Sequence, residues 1–197
     1  MVSIVPGSAA YTQAVVLSLA DVLDLPVVRR ARPRVVVGAD RLDTPVRWAH
    51  VAEVTDLAHL LRGGELVLTT GIALPDAAAA LRRYVTDLAE AGVSGIAVEL
   101  GRKYRRRLPD ALVDAAREAG VPVICLERET RFVEITEAVH SRVLTEQLEE
   151  LRASERMHTV FTELSLEGAP RDRVLREVAR LSGCPVVVEN LAHQVLA

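Results

Sequence analysis

From Glu65 to Glu127 the chain alternates short apolar runs with helix-like stretches, and this alternation constrains the fold more than any other feature. The runs are "ELVLTTG", "VSGIAVELG" and "VPVICLE". Between them lie "PDAAAALRRYVTDLAEAG" and "PDALVDAAREAG", each opening on a proline and closing on a glycine. Proline is tolerated where a helix begins because its missing N–H would have no partner there, and glycine readily adopts the left-handed stop. The runs are apolar at successive positions, as strands covered on both faces are. Strand, helix, strand, helix, strand with short connections predicts a parallel sheet with right-handed crossovers.

The flanks add detail. "RVVVGADRLDTPVRWAHVAEV" reads as two strands around the turn residues Gly38-Ala39-Asp40, which predicts an N-terminal hairpin. A short helix fits Leu17 to Leu23, and Asp56 can cap another through Leu60 and Leu61, ending at Gly63-Gly64. From Phe132 no glycine or proline occurs until Gly168. Phe132, Ile135, Val139, Leu148 and Leu151 keep a helical spacing, and Val160, Phe161 and Leu164 resume it. A single helix here would extend about 50 Å at ~1.5 Å per residue. The other reading is two helices broken near Ser154.

The closing stretch "APRDRVLREVARLSGCPVVVENLAHQVLA" reads as a helix, a strand and a returning strand, too little to enclose a core. The expected fold class is α/β: a parallel sheet with flanking helices and an N-terminal hairpin, followed by a long linker helix. The expected layout is a loose tail over 1–16, an α/β domain over 17–131, a linker or dimerisation helix over 132–166, and the truncated start of a second domain over 167–197.

Half of the 197 residues are hydrophobic but only 3% are aromatic, so Val, Leu, Ile and Ala must build the core. The formal net charge of −3 gives no whole-chain attraction to nucleic acid or an anionic membrane. Cys125 and Cys184 sit in or beside apolar runs with no CxxC, which suits buried thiols in a cytosolic protein. The first residues lack a basic region, so a signal peptide is not expected, and no apolar run reaches the ~20 residues that span a bilayer. A cytoplasmic location is expected. His50, His59, His140, His158 and His193 show no paired-ligand spacing, and no nucleophile elbow or phosphate loop occurs. No catalytic residue, metal or cofactor is expected.

In an open parallel sheet, ligands bind beyond the carboxyl ends of the strands. Thr69-Thr70-Gly71 follows the first run. Glu99, Gly101, Arg102, Lys103 and Tyr104 follow the second, and Glu127, Arg128, Glu129 and Arg131 the third. The threonines either face a ligand or cap the next helix. The cations of "RKYRRR" either hold an anion or face solvent. The candidate ligand residues are Thr69, Thr70, Gly71, Glu99, Gly101 and Arg102.

"LDTPVRWAHVAEVTDLAHLLRGGELVLTTGIAL", "GVSGIAVELGR", "RFVEITEAVHSRVL" and "GCPVVVENLAHQVLA" together resemble the purine catabolism regulator (PucR-type) family of bacterial transcription factors, from about Leu17 to Ala197. By position the family's LTTG motif is Leu68–Gly71, ELGR is Glu99–Arg102 and FVEITE is Phe132–Glu137. The resemblance implies an α/β sensor domain preceding a central domain and a C-terminal helix-turn-helix. The loop after ELGR is unusually basic here, and "ERETRF" is unusually charged, so a purine effector is not simply inherited.

The leading expectation is a small-molecule-sensing, homodimerising region of a cytoplasmic regulator of catabolic genes, reaching DNA only through a C-terminal domain absent from this chain. Its effector is unknown, and a purine-related metabolite is one candidate. The rivals are a ligand-free interaction scaffold and an α/β enzyme using Glu99 and Glu127.

Overall fold

The computed structural model describes residues 2–4, 17–183 and 186–188. Its elements, in chain order, are β1 (Val2–Ile4), α1 (Leu19–Asp24), α2 (Pro26–Arg30), β2 (Pro33–Val37), β3 (Trp48–Val51), a 3-10 turn (Ala58–Leu60) and β4 (Glu65–Thr69). There follow α3 (Ala78–Glu90), β5 (Gly95–Glu99), α4 (Asp110–Ala119), β6 (Val123–Leu126), α5 (Phe132–Leu166), α6 (Arg171–Ser182) and β7 (Val186–Val188). Packing divides the chain into two compact units, Val16–Thr145 and a second made of Met1–Val15 with Glu146–Ala197.

The first unit is built on a five-stranded sheet of order β2-β6-β5-β4-β3. β3, β4, β5 and β6 run parallel, and β2 closes the β6 edge antiparallel. Every residue of β4, β5 and β6 is buried. Their alternate side chains therefore feed two cores. Val67, Ile96, Val98, Val123 and Cys125 face Leu81, Val85 and Leu88 of α3 and Leu112, Ala115 and Ala116 of α4. Leu66, Leu68, Ala97, Ile124 and Leu126 face Leu19 and Val22 of α1, Val27 and Val28 of α2, and Ile135 and Val139 of α5. The first turns of α5 are thus part of the core of this unit.

Local chemistry sets the helix ends. Ser18 and Asp21 form a reciprocal capping box that starts α1. Gly120 stops α4 in the left-handed conformation. The expected helix from Leu17 begins two residues later, and α2 was not anticipated because five residues carry too little periodicity. Asp56 caps no helix; its carboxylate meets His59 Nδ1 at 3.2 Å, and the turn begins at Ala58.

The α/β architecture with flanking helices and a long C-terminal helix is as expected, but the N-terminal hairpin is not formed. β2 and β3 lie at opposite edges, so the sheet is mixed rather than wholly parallel. Ten residues separate the two strands, which is far beyond the tight turn that locks a hairpin register. Each strand instead pairs with an edge of the parallel core. α5 is one helix of 35 residues, with no break at Ser154.

In the second unit β1 pairs antiparallel with β7. α6 opens after Pro170 and stops at Gly183, whose φ is +65°. The expected returning strand, Cys184, and 5–16 of the expected tail lie outside the described residues.

His140 of α5 joins that helix to the β3 edge. Its ring stacks on Trp48 with centroids 3.4 Å apart, and Nε2 lies 3.3 Å from the Ala49 amide nitrogen and 3.1 Å from the Ala49 carbonyl. Burial holds its pKa below the usual histidine value, opposed by the bond to Ala49. The unfolded chain therefore takes up this proton first. The stability linked to the neutral ring is complete above about pH 6.5 and is lost as pH falls from there through the folded-state pKa. Urea denaturation at about pH 7.5 and about pH 5.5 should show a larger loss in the parent than in His140→Gln. Equal losses would rule this ring out as a source of the acid sensitivity.

Candidate functional site

The ladder register aligns the ends of the parallel strands. Val51 pairs with Leu68, Thr69 with Val98, and Glu99 with Leu126. Four consecutive loops consequently leave the sheet along one carboxyl rim, and the expected site residues lie on two of them.

On the β4 side the organising group is Glu53, just past β3. It accepts the Thr70 amide at Oε1, 2.7 Å away, and the Thr69 hydroxyl at Oε2, 3.3 Å away. The Thr69 Oγ1 accepts the Gly71 amide at 3.0 Å, and the Thr70 Oγ1 accepts the Ile72 amide at 3.4 Å. The threonines therefore shape the loop through backbone bonds and do not cap α3, which starts only at Ala78 after the uncharged N-cap Ala77. Thr69 is buried, while Thr70 is partly open and Glu53 exposed.

Gly71 has φ +76°, and a Cβ there would sit 2.9 Å from Cε2 of Tyr104. The glycine thus serves a close approach, but to an aromatic ring of the next loop. Lys103 fastens the same loop from above, through the Leu74 carbonyl and the Asp76 carboxylate, the latter at 2.8 Å. Beneath it, the hydroxyls of Tyr84 and Tyr104 are buried and have no hydrogen-bond partner. Burial pushes the Tyr84 phenol well above its ordinary pKa, with Glu53 and Tyr104 adding to the shift.

On the β5 side Glu99 is buried at the strand end, and its Oε2 accepts the Thr130 amide at 3.0 Å. Arg102 bridges Glu99 at 3.9 Å and Glu129 at 2.7 Å. Gly101, at φ +110° with open space around its Cβ direction, donates its amide to the Tyr104 carbonyl at 2.8 Å, so its role is a turn. Glu127 forms an ion pair with Arg34 at 2.7 Å. Both carboxylates considered for catalysis are thus held by partners within the chain, and no group of three His, Cys, Asp or Glu able to hold a metal occurs among the described residues. The "RKYRRR" run is largely a fastening: Arg102, Lys103 and Arg107 each reach a carboxylate.

The rim thus carries two polar groupings, Glu53 with Thr69 and Thr70, and Glu99 with Thr130 and Arg102. Sequence reasoning missed Glu53, Tyr84 and Arg30. Glu53 was overlooked because β3 was assigned to a hairpin; its place just past the extended run Trp48–Val51 was the available signal.

A sequence profile described as the purine catabolism regulatory protein-like family matches residues 21–143. The chain belongs to that family. It is 23% identical over 181 residues to the purine catabolism regulatory protein of Bacillus subtilis (strain 168), covering 92% of this chain and 34% of the relative. It is 29% identical over 141 residues to the transcriptional activator PmfR of Paenarthrobacter nicotinovorans, covering 72% of this chain and 30% of the relative. The chain thus spans about a third of the length of these family relatives. Among solved structures, the CBS and DRTGG domains of the regulatory region of Clostridium perfringens pyrophosphatase, complexed with the activator diadenosine tetraphosphate, match at 16% identity and a TM-score of 0.41, over 62% of this chain and 46% of that one. No helix among the described residues is long and apolar enough to cross a membrane.

Gly71→Ala combines a left-handed backbone with a clash against an aromatic ring. It should lower unfolding stability by roughly 1–3 kcal/mol in chemical denaturation. Parent-like stability would show that Tyr104 swings away freely and that the two loops are not tied.

Proposed function

We propose that this chain is the effector-sensing and dimerising region of a cytoplasmic transcriptional regulator of catabolic genes, with DNA bound by a further domain outside it. The observation that carries the reading is the continuity between rim and helix. The loop after β6 gives its Thr130 amide to Glu99 of the rim and two residues later becomes α5. The start of α5 is seated in the core through Ile135 and Val139. A small polar metabolite that changes the rim hydrogen bonds would act on the seat of that helix, and the helix leads out of the unit. Binding without turnover suits a rim whose carboxylates are already engaged.

In this reading Thr69, Thr70, Gly71, Glu99, Gly101 and Arg102 line the effector site, with Thr70 and Arg102 as its accessible side chains. A purine-related or other nitrogen compound is the first class to screen, by thermal shift. With a binder in hand, Thr70→Val and Arg102→Ala should each weaken titration calorimetry by about 0.5–1.5 kcal/mol per hydrogen bond lost. Parent-like affinity in both variants would place the site elsewhere.

Dimerisation is read from α5. Leu144, Leu148 and Leu151 are exposed at helical spacing, and a second α5 would cover them. In sedimentation at micromolar concentration the parent should be a dimer, and the double variant Leu148→Glu with Leu151→Glu should shift toward monomer. A monomeric parent removes the dimer while leaving ligand sensing open.

A further inference from the structure

Beside the rim, an open pocket of about 550 Å³ is lined by Arg30, Arg128, Glu129, Thr130, Arg131 and Glu134. None of the six rim residues considered above lines it. Arg30 comes from the last turn of α2, Arg128 to Arg131 from the loop after β6, and Glu134 from the first turn of α5. Two segments distant in sequence, α2 and the loop that leads into α5, thus bring three guanidinium groups to one concavity.

Their charges are poorly matched from within. Glu129 is engaged by Arg102 at 2.7 Å. Glu134 is shared between Arg30 and Arg131, at 3.7 Å from each, longer than a good hydrogen bond. Among the described residues no carboxylate lies within ion-pair distance of Arg128. With Glu129 neutralised, three arginines face one carboxylate, an excess of two positive charges. The first-turn amides of a helix have no intrahelical acceptor, and α5 begins at Phe132 on this wall. The amides of Thr130 and Glu134 are already bonded, to Glu99 and to the Arg131 carbonyl, so it is the planar guanidinium forks that suit a tetrahedral oxyanion.

We propose that this pocket binds a small molecule through a dianionic phosphate group, held by Arg30, Arg128 and Arg131 at the start of α5. The charge excess matches a phosphate dianion better than a single carboxylate. The space has room beyond one phosphate for a second group, such as another phosphate or an organic ester. Binding would also draw Glu134 away from its two arginines and fix the first turn of α5. The site stands on its own residues and does not require the rim to bind anything.

The test uses the full 197-residue chain with inorganic phosphate and pyrophosphate as probes, titrated calorimetrically against chloride at equal ionic strength. Pyrophosphate should bind more tightly than phosphate, and both should bind at least about tenfold more weakly to Arg128→Gln with Arg131→Gln. Arg107→Gln, an exposed arginine of the basic loop, should bind as the parent does. Pyrophosphate should also slow hydrogen exchange at the amides of Phe132 and Val133. Circular dichroism checks that the variants fold, and the single variant Arg128→Gln is the fallback because that side chain makes no internal ion pair. A response that chloride reproduces, or equal affinity in parent and variants, overturns the proposal. A parent chain that binds neither probe but still binds a rim effector would sink this pocket alone, and a parent that binds the probes but no rim effector would sink only the rim.

Discussion

Leu66, Val67, Leu68, Ile96, Ala97 and Val98 are all buried, so neither face of the central strands meets water. Each such side chain contributes on the order of 1.5–3 kcal/mol only while both faces stay covered. This demand places α3 and α4 on one side and α1, α2 and the start of α5 on the other. It also leaves the ends of the strands as the places where polar chemistry meets solvent. The buried polar residues Glu65, Thr69, Ser94 and Glu99 accordingly sit at or beside the ends of these strands.

At the carboxyl rim, polar groups are spent first on holding loops to one another. Glu53 ties the loop after β3 to Thr69 and Thr70, and Glu99 ties the end of β5 to Thr130. Lys103 ties the basic loop to the loop after β4. A rim made this way has few free groups, and those that are free stand out. Arg128 is one, and the buried hydroxyls of Tyr84 and Tyr104 are two more. A buried hydroxyl without a partner costs about 1–3 kcal/mol, so the packing around Gly71 is stable despite its polar groups rather than because of them.

α5 has two characters along one helix. Ile135 and Val139 are fully buried in the first unit, whereas Leu144, Leu148 and Leu151 are exposed. One helix thereby supplies core residues and a neighbour of the rim in the first unit and continues past it. The charged loop "ERETRF" lies at this junction.

The order of strands and helices from Glu65 to Glu127 was determined by the sequence alone, whereas one helix or two from Phe132 was decided by the structure, which has one. The reason for the order is local: an apolar run between a proline start and a glycine stop specifies its element with no distant partner. Motif order along the chain from Leu42 to Ala197 also carried the family resemblance. The partners of β2 and β3 were decided only by the tertiary structure, because edge pairing depends on which backbone groups the folded core leaves unmatched. The same holds for the rim. Thr69, Glu99 and Arg102 could be placed from strand ends, but their hydrogen bonds to Glu53, Thr130 and Glu129 come from other loops. Arg30 and Arg128, 98 positions apart in the chain, share a pocket only because α2 and the loop after β6 lie on the same end of the sheet. Charge and spacing are written in the sequence; which charges meet is settled when both faces of the sheet are closed.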